Sequence, residues 1–273
     1  MSEQVLLVED IGPIRRLTMN RPDKLNSLNH DLIVGLGKAF EEAGQDDSVS
    51  VIILAAAGRA FCAGYDLEED AEGGELSEQQ WRDELQESTD RMFAQLFNPK
   101  PTIAQVQSYC LAGGTDLMLA CDLTVCSDDA KFGYVDIRFG SGVVTMLLPW
   151  VIGVRKAKEL LFTGEDRIPA DEALSMGLVN KVVPADQLES ATLALAESIA
   201  KNEPFVVQKT KLAIHKVWES QGIKPALDAN VDFDVAIETA NLPARDEFRK
   251  ITTEQGLKAA IAWRDARFRG ENA

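Results

Sequence analysis

The alternation of apolar and polar positions predicts strands and helices in turn along the first two thirds of the chain. Short apolar runs predict strands at "VLLVED", "IRRLTM", "VSVIILAAAG", "PTIAQVQSY" and "LTVCSDDAKFGY", with the first two joined by a turn at Gly12 and Pro13. Apolar residues at helical spacing predict helices at "HDLIVGLGKAFEEAG", "WRDELQESTDRMFAQLF" and "RKAKELLFTG", the last ending at Gly164. The acidic run "EEDAEGGELSEQQ" is expected to be a solvated, mobile surface loop.

The pattern changes from about Asp186 onward, where strand signals vanish and long helical patterns follow. We therefore expect a core over residues 1–200 and a helical oligomerisation region over residues 201–273. Contacts between subunits are expected from its apolar faces, because closed symmetric oligomers bury such surface. The apolar positions of these faces include Leu257, Ala260, Ile261 and Trp263.

Composition and charge narrow the class of protein. The 273 residues are 45% apolar and 26% charged, which is enough to build one large core. A net charge of −16 repels nucleic acid and anionic membrane surfaces, so neither is an expected partner. The longest nearly apolar run, "VVTMLLPWVIGV", is shorter than the roughly 20 residues that span a bilayer, and no signal-peptide pattern is present. We expect a cytoplasmic protein.

Cysteine and histidine give little sign of chemistry. The cysteines lack metal-ligand spacing and are expected to be buried thiols: Cys62, Cys110, Cys121 and Cys126. His30 and His215 both fall in helical patterns and are expected to be ordinary surface or interface residues. No metal site is predicted.

The stretch "CLAGGTDLMLACDL" places two glycines and an acid where a strand passes into a helix. The first amides of a helix have no partner inside it, and Gly113 and Gly114 have no side chain that would block a ligand. Asp116 follows in the first turn, so the motif can supply both an anion pocket and a base. The alternative is that Asp116 only caps its helix.

Two further motifs extend this site. In "AFCAGYD", Gly64 and Asp66 read either as part of the site or as an ordinary turn and cap. In "AKFGYVDIRFGSG", Asp136 lies 20 positions after Asp116, far enough for a helix, a strand and a turn to bring it back. Two carboxylates at one site shift apart in pKa and can divide the roles of acid and base. The alternative for Asp136 is a cap of the next helix.

Five ordered segments together resemble the crotonase superfamily, the enoyl-CoA hydratase/isomerase family of acyl-coenzyme A enzymes. They are "IRRLTMNRPDKLNSL", "AAAGRAFCAGYDL", "KPTIAQVQSYCLAGGTDLMLACDL", "AKFGYVDIRFG" and "LLFTGEDRIPADEALSMGLVNKVVP". The resemblance runs from about Val5 to Phe268. It implies an α/β fold, a spiral of repeated ββα units with a helical C-terminal part, and assembly into homotrimers or dimers of trimers.

The resemblance also implies roles for individual residues. The N–H groups of Tyr65 and Gly113 would donate to the oxygen of an acyl-CoA thioester, and such preorganised donors typically contribute a few kcal/mol in the transition state. Asp116 and Asp136 would be the acid/base pair. Coenzyme A would bind near "DKLN" and "AGYDL", at Lys24, Leu25, Ala63, Asp66 and Leu67. Coenzyme A is then part of the substrate, and no separate cofactor is expected.

Two departures from the family pattern affect the expected reaction. Hydratases of the family commonly have glutamate at both acidic positions, and aspartate sets each carboxylate back by about 1.5 Å. The Pro-Gly-rich turn that many relatives have after the second acid is replaced by "IRFGSGVVTMLLPW". Hydration of a 2-enoyl-CoA is the leading expectation, and isomerisation of an enoyl- or dienoyl-CoA is the close alternative. Thioester hydrolysis, dehalogenation and a catalytically weak acyl-CoA-binding assembly subunit are further alternatives.

Overall fold

Two sheets and a set of surrounding helices make up the computed structural model, which describes residues 4–72, 76–144 and 146–269. The strands are β1 Leu6–Ile11, β2 Ile14–Met19, β3 Val51–Ala56, β4 Thr102–Val106, β5 Tyr109–Leu111, β6 Leu123–Ser127, β7 Lys131–Gly133, β8 Ile168–Pro169 and β9 Lys181–Val183. The helices are α1 His30–Gln45, α2 Leu67–Glu72, α3 Glu78–Leu96, α4 Gly113–Leu119, α5 Leu148–Ile152, α6 Val154–Thr163, α7 Ala170–Ser175, α8 Leu188–Ala200, α9 Pro204–Ser220, α10 Ile223–Glu238, α11 Pro243–Gln255 and α12 Leu257–Arg269. Short 3-10 turns lie at Pro22–Lys24, Asp136–Phe139 and Ala185–Gln187.

The larger sheet has six strands in the order β1-β2-β3-β4-β6-β9, and the smaller has three in the order β5-β7-β8. The β1–β2 hairpin is antiparallel, as the turn at Gly12 and Pro13 predicts, and the other pairs of the larger sheet are parallel. In the smaller sheet β5 pairs parallel with β7, which pairs antiparallel with β8. The small sheet carries the turns that form the candidate site.

Two of the predicted single strands are each divided between the two sheets. "PTIAQVQSY" forms β4 and the first residue of β5, and the backbone turns between them at Ser108, which has a φ of 49°. "LTVCSDDAKFGY" forms β6 and β7, with the turn closed by a bond from the Ala130 amide to the Ser127 carbonyl at 3.1 Å. A run predicted as one strand can therefore contain a turn at which the chain passes from one sheet to the other.

The core lies on both faces of the larger sheet. Strand β3 is buried from Val51 to Ala55, as expected for a central parallel strand covered on both sides. Helix α8 covers one face with Leu188 and Ala196, while α1 and α4 pack on the other. All four cysteines are buried and free, which confirms their prediction. None of the helices in the described ranges is long and apolar enough to cross a membrane.

Residues Leu67–Glu72 are helical and α3 begins at Glu78, so the prediction of a loop across the acidic run is wrong at both of its ends. The Asp66 carboxylate accepts a bond from the Glu68 amide at 3.2 Å and so caps the helix, and Leu67 packs against the cluster around Phe248. Residues 73–75 of the same run lie outside the described residues.

His215 is buried, which corrects its prediction as a surface or interface residue, whereas His30 is exposed. The ring of His215 stacks on Trp218 with centroids 5.9 Å apart and meets the edge of Phe97. Its Nε2 lies 3.5 Å from an oxygen of Asp122. A helical pattern does not show which polar residue faces inward. For His215 this depends on Asp122, which lies far away in the sequence, just before β6.

Part of the apolar surface of the C-terminal region is covered within the chain. Ala260 is buried with Phe248 and Ile251, and the other three apolar positions pack partly buried around them: Leu257, Ile261 and Trp263. Exposed apolar side chains remain on α9 and α10, among them Phe205, Ile214 and Phe233. Contacts between subunits therefore stay a prediction, and these two helices are the better candidates for them.

A buried ion pair joins α9 to the larger sheet. The ammonium of Lys211 donates to Asp122 Oδ2 at 2.7 Å and to the Lys100 carbonyl at 2.9 Å. The same carboxylate oxygen accepts from the amide and hydroxyl of Thr102, at 2.7 and 2.9 Å. Burial and these donors have opposite effects on the pKa of Asp122, and the donors win, so the pKa is lowered.

We predict that Asp122→Ala lowers the free energy of unfolding by about 3–5 kcal/mol, because it leaves the Lys211 ammonium buried without its counter-charge. Urea denaturation measures the change. The matched control is Lys38→Ala, which breaks an exposed pair with Glu42 whose charged atoms lie 3.8 Å apart, and it should shift stability by no more than about 0.5 kcal/mol. Equal effects from the two variants would show that the buried pair does not anchor α9.

Candidate active site

The turn from β5 into α4 holds the backbone in a strained conformation. Ala112 is the N-cap of α4 with φ 53° and ψ −129°, a region that non-glycine residues rarely adopt. Its amide donates to the Gly133 carbonyl at 2.8 Å, and the Thr115 hydroxyl donates to Cys110 and Gly133 carbonyls. The small sheet thus fixes the start of α4, and the amides of Gly113 and Gly114 meet no acceptor among the described residues.

A second turn, at Gly64 and Tyr65, packs directly on the first. Gly64 has a φ of 101°, and a Cβ placed on it would lie 2.8 Å from the Cβ of Ala112 and 3.7 Å from the Gly113 nitrogen. Leu28 pairs with the residues on each side of Tyr65, since its amide donates to the Gly64 carbonyl and its carbonyl accepts from Asp66. The Tyr65 amide itself has no acceptor in the described part of the chain. Two amides without acceptors therefore lie on turns in contact.

Close packing at Gly114 and Gly113 keeps these turns together. A Cβ on Gly114 would lie 2.7 Å from the Cβ and 2.8 Å from the carbonyl oxygen of Cys62. A Cβ on Gly113 would lie 2.6 Å from the ring of Tyr65. The absence of side chains at the glycine pair thus lets "AFCAGYD" approach α4 closely.

Asp116 and Asp136 lie near the same two tyrosines. Asp116 is buried, and the Tyr134 hydroxyl donates to its Oδ1 at 3.4 Å. Burial raises the pKa of both the Tyr65 and the Tyr134 hydroxyl, and the charges of Asp116 and Asp136 raise each pKa further. The charges of both carboxyl groups thus act on the same two tyrosine hydroxyls.

Burial raises the pKa of Asp136 to about 7, with the Glu238 charge adding to the rise and Arg264 opposing it. Arg138, two residues further along the chain, instead pairs with Asp166 at 3.0 Å and lies 4.9 Å from the centre of the Phe268 ring. At neutral pH a substantial fraction of Asp136 therefore carries a proton.

Helix α10 brings two further acids to the site that sequence reasoning missed. Asp234 is buried, and burial raises its pKa to about 8, with contributions from the charges of Glu238 and Asp136. The one available signal is the spacing of four between Asn230, Asp234 and Glu238, which puts three polar residues on one face of a mostly apolar helix.

The residues predicted to contact coenzyme A form a cluster beside the Tyr65 turn. The Ala63 amide donates to the Leu25 carbonyl at 3.1 Å, and Lys24 is exposed and paired with Glu68. The carboxylate of Asp66 is buried and receives Arg21 at 2.7 Å and Ser27 at 3.2 Å. The fifth residue, Leu67, packs on the C-terminal helices.

Two cavities lie along α1 and α3, and Tyr65 lines the smaller of them. A narrow cavity of about 20 Å³ is lined by Tyr65, Leu28, Phe40, Met92 and Leu117, and it holds room for about one water molecule. A wider groove of about 790 Å³ runs between α1 and α3, and neither Asp116 nor Asp136 lines it. The Tyr65 hydroxyl is buried and meets hydrogen-bond geometry with no described residue.

Comparisons with known proteins agree with this architecture. The model of the enoyl-CoA hydratase/isomerase family matches residues 11–243. A protein of Mycobacterium tuberculosis named as an enoyl-CoA hydratase is 38% identical over 244 residues, which covers 80% of this chain and 75% of that protein. The short-chain-enoyl-CoA hydratase of Clostridium acetobutylicum is 34% identical over 218 residues, 77% of this chain and 81% of that one.

Solved structures give the same result for the fold. The crystal structure of an enoyl-CoA hydratase/isomerase from Xanthobacter autotrophicus Py2 superimposes with a TM-score of 0.94 at 40% identity, covering 97% of this chain and 98% of that one. An enoyl-CoA hydratase from Mycobacterium smegmatis gives a TM-score of 0.89 at 27% identity, covering 97% and 94%. The fold is thus that of the crotonase superfamily, an α/β spiral with a helical C-terminal part. The chain belongs to the enoyl-CoA hydratase/isomerase family and is an enzyme of that family.

We predict that Asp136→Asn stabilises the fold more at pH 8 than at pH 5. Asp136 ionises near pH 3.8 when unfolded and near 7 when folded, so between these values the unfolded chain has lost a proton that the folded chain keeps. The wild type therefore loses stability as pH rises towards 7, and the asparagine variant lacks that loss.

Thermal unfolding of both proteins from pH 5 to 8 measures the effect. The difference in melting temperature between Asp136→Asn and the wild type should increase up to about pH 7, the pKa of Asp136 in the folded protein, and then stay constant. Asp128→Asn, at an exposed aspartate, is the matched control. A gain from Asp136→Asn that is the same at pH 5 and pH 8 would contradict the raised pKa.

Proposed function

We propose that the protein hydrates a 2-enoyl-CoA, adding water across the double bond next to the thioester. The observation that carries the proposal is the contact between the Gly64–Tyr65 turn and the start of α4, whose first turn holds the buried Asp116; the amides of Tyr65 and Gly113 have no acceptor among the described residues. The relatives named as enoyl-CoA hydratases support the same reaction class.

In this proposal the amides of Tyr65 and Gly113 donate to the thioester oxygen. When water adds to C3, negative charge moves onto that oxygen and an enolate forms. Donors that are already fixed in place stabilise the enolate without reorganising, and the loss of one such donor typically costs roughly 3–4 kcal/mol. Since backbone groups do this work, the side chains around them are free to shape the acyl pocket.

The two acids divide the proton transfers. Asp116, oriented by the Tyr134 hydroxyl, takes a proton from water as the oxygen bonds to C3. Asp136, whose pKa of about 7 keeps part of it protonated at neutral pH, then gives a proton to C2 of the enolate. One water is consumed in these two transfers. A third transfer, from Asp116 to Asp136, restores the starting protonation of both acids.

Isomerisation of an enoyl- or dienoyl-CoA is the second candidate, and one observation favours it. Both acids are aspartates, whose reach is shorter than that of glutamate by about 1.5 Å, one C–C bond. A water held between them is held less firmly, while transfer of a proton from one carbon to another needs no bound water.

Coenzyme A binding is proposed at the cluster of Lys24, Leu25, Ala63, Asp66 and Leu67. Lys24 is the exposed cation of this cluster, and a phosphate would compete with Glu68 for it. The Asp66 carboxylate is held by Arg21, so its proposed part is to shape the turn before α2. A homotrimer or dimer of trimers is proposed from the exposed apolar residues of α9 and α10, including Phe205, Ile214 and Phe233.

The test of the reaction is a turnover screen over short, long, branched and aromatic enoyl-CoA thioesters, with products identified by mass. We expect products heavier than the substrate by one water. Products of unchanged mass with a moved double bond would replace hydration by isomerisation. Retained binding of coenzyme A with no turnover of any thioester would replace both by a binding function.

We predict that Asp116→Asn and Asp136→Asn each lower turnover of the best substrate by roughly 100-fold or more, in line with the contribution of a general acid or base. Asparagine keeps the shape of the side chain but cannot exchange the proton, so coenzyme A affinity should change little. Asp128→Asn serves as the control for loss of one aspartate. If Asp136→Asn keeps turnover within about threefold, this pair is not the proton-transfer machinery.

A further inference from the structure

One face of α10 holds the chain segment that follows Asp136. Asn230, Asp234 and Glu238 are spaced by four, so they form one row along the helix, and all three side chains are buried. The segment they contact is residues 140–144, which begins where the 3-10 turn of Asp136 ends. This is also the stretch in which the family's Pro-Gly-rich turn is replaced.

Asn230 and Glu238 bind the backbone of this segment at its two ends. The Asn230 amide donates to the carbonyls of Val143 at 2.7 Å and Val144 at 3.1 Å. Glu238 Oε1 accepts from the Ser141 hydroxyl at 2.5 Å and from the Gly142 amide at 3.3 Å. The segment has little secondary structure of its own, and these bonds replace the ones it lacks.

Asp234 packs between them. A Cβ placed on Gly142 would lie 2.0 Å from Asp234 Oδ1, so the segment approaches this carboxyl group closely at a residue without a side chain. Asn230 also donates to Asp234 Oδ2, at 3.2 Å. Arg245 of α11 completes the arrangement by donating to the carbonyls of Gly140 and Glu238 and pairing with the Glu238 carboxylate at 3.3 Å.

These contacts reach Asp136 through one backbone bond. The Ser141 amide donates to the Asp136 carbonyl at 3.1 Å, and Ser141 is also the residue whose hydroxyl Glu238 binds. A shift of the segment therefore moves the turn that carries Asp136. A misplacement of an ångström at a proton donor is enough to slow a reaction strongly.

We propose that Asn230, Asp234 and Glu238 are positioning residues for Asp136: their contacts fix its turn against α10 and place the negative charge of Glu238 where it acts on Asp136. The inference rests on the proposed function, in which Asp136 donates the proton to C2. It makes the C-terminal helices part of the reaction machinery, in addition to any part they have in assembly.

The charges around Asp136 set the direction of the effect. Burial raises the pKa of Asp136 most; a hydrogen bond from its own backbone and the Arg264 charge of α12 lower it, and the Glu238 charge raises it. Asp234 stays protonated up to about pH 8 and so adds no charge below that value. Three further titratable groups lie around the turn: Tyr65, Asp116 and Tyr134. Two nearby cations are paired, Arg138 with Asp166 and Arg245 with Glu238. Asp265 lies 3.9 Å from Arg138.

We predict that Glu238→Gln moves the alkaline fall of kcat to lower pH. Glutamine keeps an oxygen for Ser141 and Gly142 but removes the charge, so Asp136 loses its proton more readily. At pH 8 kcat should fall by roughly 3- to 10-fold, which corresponds to a change of up to about one pKa unit, and it should recover towards the wild-type value at pH 6. KM for a short enoyl-CoA should change by less than about twofold at either pH, because the variant alters proton transfer and leaves substrate binding intact.

Two variants control for the two parts of the proposal. Glu247→Gln removes one charge from an acid of α11 that pairs with Lys250 at 3.9 Å, and it should leave the pH profile unmoved. Ser141→Ala removes the hydroxyl bond to Glu238 without altering the helix, so it should lower kcat at all pH values and leave the pH of the fall unchanged. It also tests the positioning if Glu238→Gln does not fold.

An unmoved alkaline fall in Glu238→Gln, or a full kcat in Ser141→Ala, would overturn the proposal. If no enoyl-CoA is turned over by the wild type, the proposed function fails and a second readout decides the inference. Infrared difference spectroscopy of the Asp136 carboxyl group, assigned with Asp136→Asn, then measures its pKa in wild type and Glu238→Gln. A lower pKa in the variant supports the inference, and an equal pKa overturns it.

Discussion

The contact between two backbone turns with positive φ is the constraint on which the rest of the candidate site depends. Gly64 and Ala112 approach so closely that a Cβ on Gly64 would lie 2.8 Å from that of Ala112. Two features stabilise this contact: the hydrogen bond from the Leu111 amide to the Cys62 carbonyl at 2.9 Å, and the pairing of β5 with β7. Among the described residues the amides of Tyr65, Gly113 and Gly114 donate to no backbone acceptor, and we propose the first two as the donors to a ligand.

The acids of the site follow from the same frame. Asp116 belongs to the helix that the Ala112 turn starts, and Asp136 belongs to the turn after β7, the strand that pairs with β5. Their surroundings are acidic, since α10 adds Asp234 and Glu238, and in this chain of net charge −16 the nearby cations are engaged. Arg245 pairs with Glu238, and Arg138 pairs with Asp166. Burial is the main reason that the pKa values of Asp136 and Asp234 are raised to about 7 and about 8, and at Asp234 the charges of Glu238 and Asp136 add to it.

The sequence predicts local structure well where one short pattern determines it. The hairpin at Gly12, helix α1 and the end of α6 at Gly164 follow from turn residues and apolar periodicity. The place of Asp116 in the first turn of α4, behind the glycine turn, also follows from the local pattern, whereas its pairing with Asp136 stays a prediction. The position of Tyr65 and the coenzyme A cluster came from resemblance alone.

Other features depend on partners far away in the chain, and no local pattern contains them. The corner at Ser108 is set by the second sheet, and the inward face of His215 is set by Asp122 at the end of a distant strand. The helix at Leu67–Glu72 is stabilised by the C-terminal cluster around Phe248. The role of Asn230, Asp234 and Glu238 could not be predicted from α10 alone, because it depends on their contacts with residues 140–144.

The central claim is that the Tyr65 and Gly113 amides together polarise a thioester carbonyl. Infrared difference spectroscopy of an enoyl-CoA labelled with ¹³C at the thioester carbonyl, bound to Asp116→Asn so that turnover is slow, measures this directly. Two N–H donors withdraw electron density from the carbonyl, so its stretching band should move to lower frequency than in free solution. A band at the frequency of the free thioester, with the ligand shown to be bound, would contradict the account.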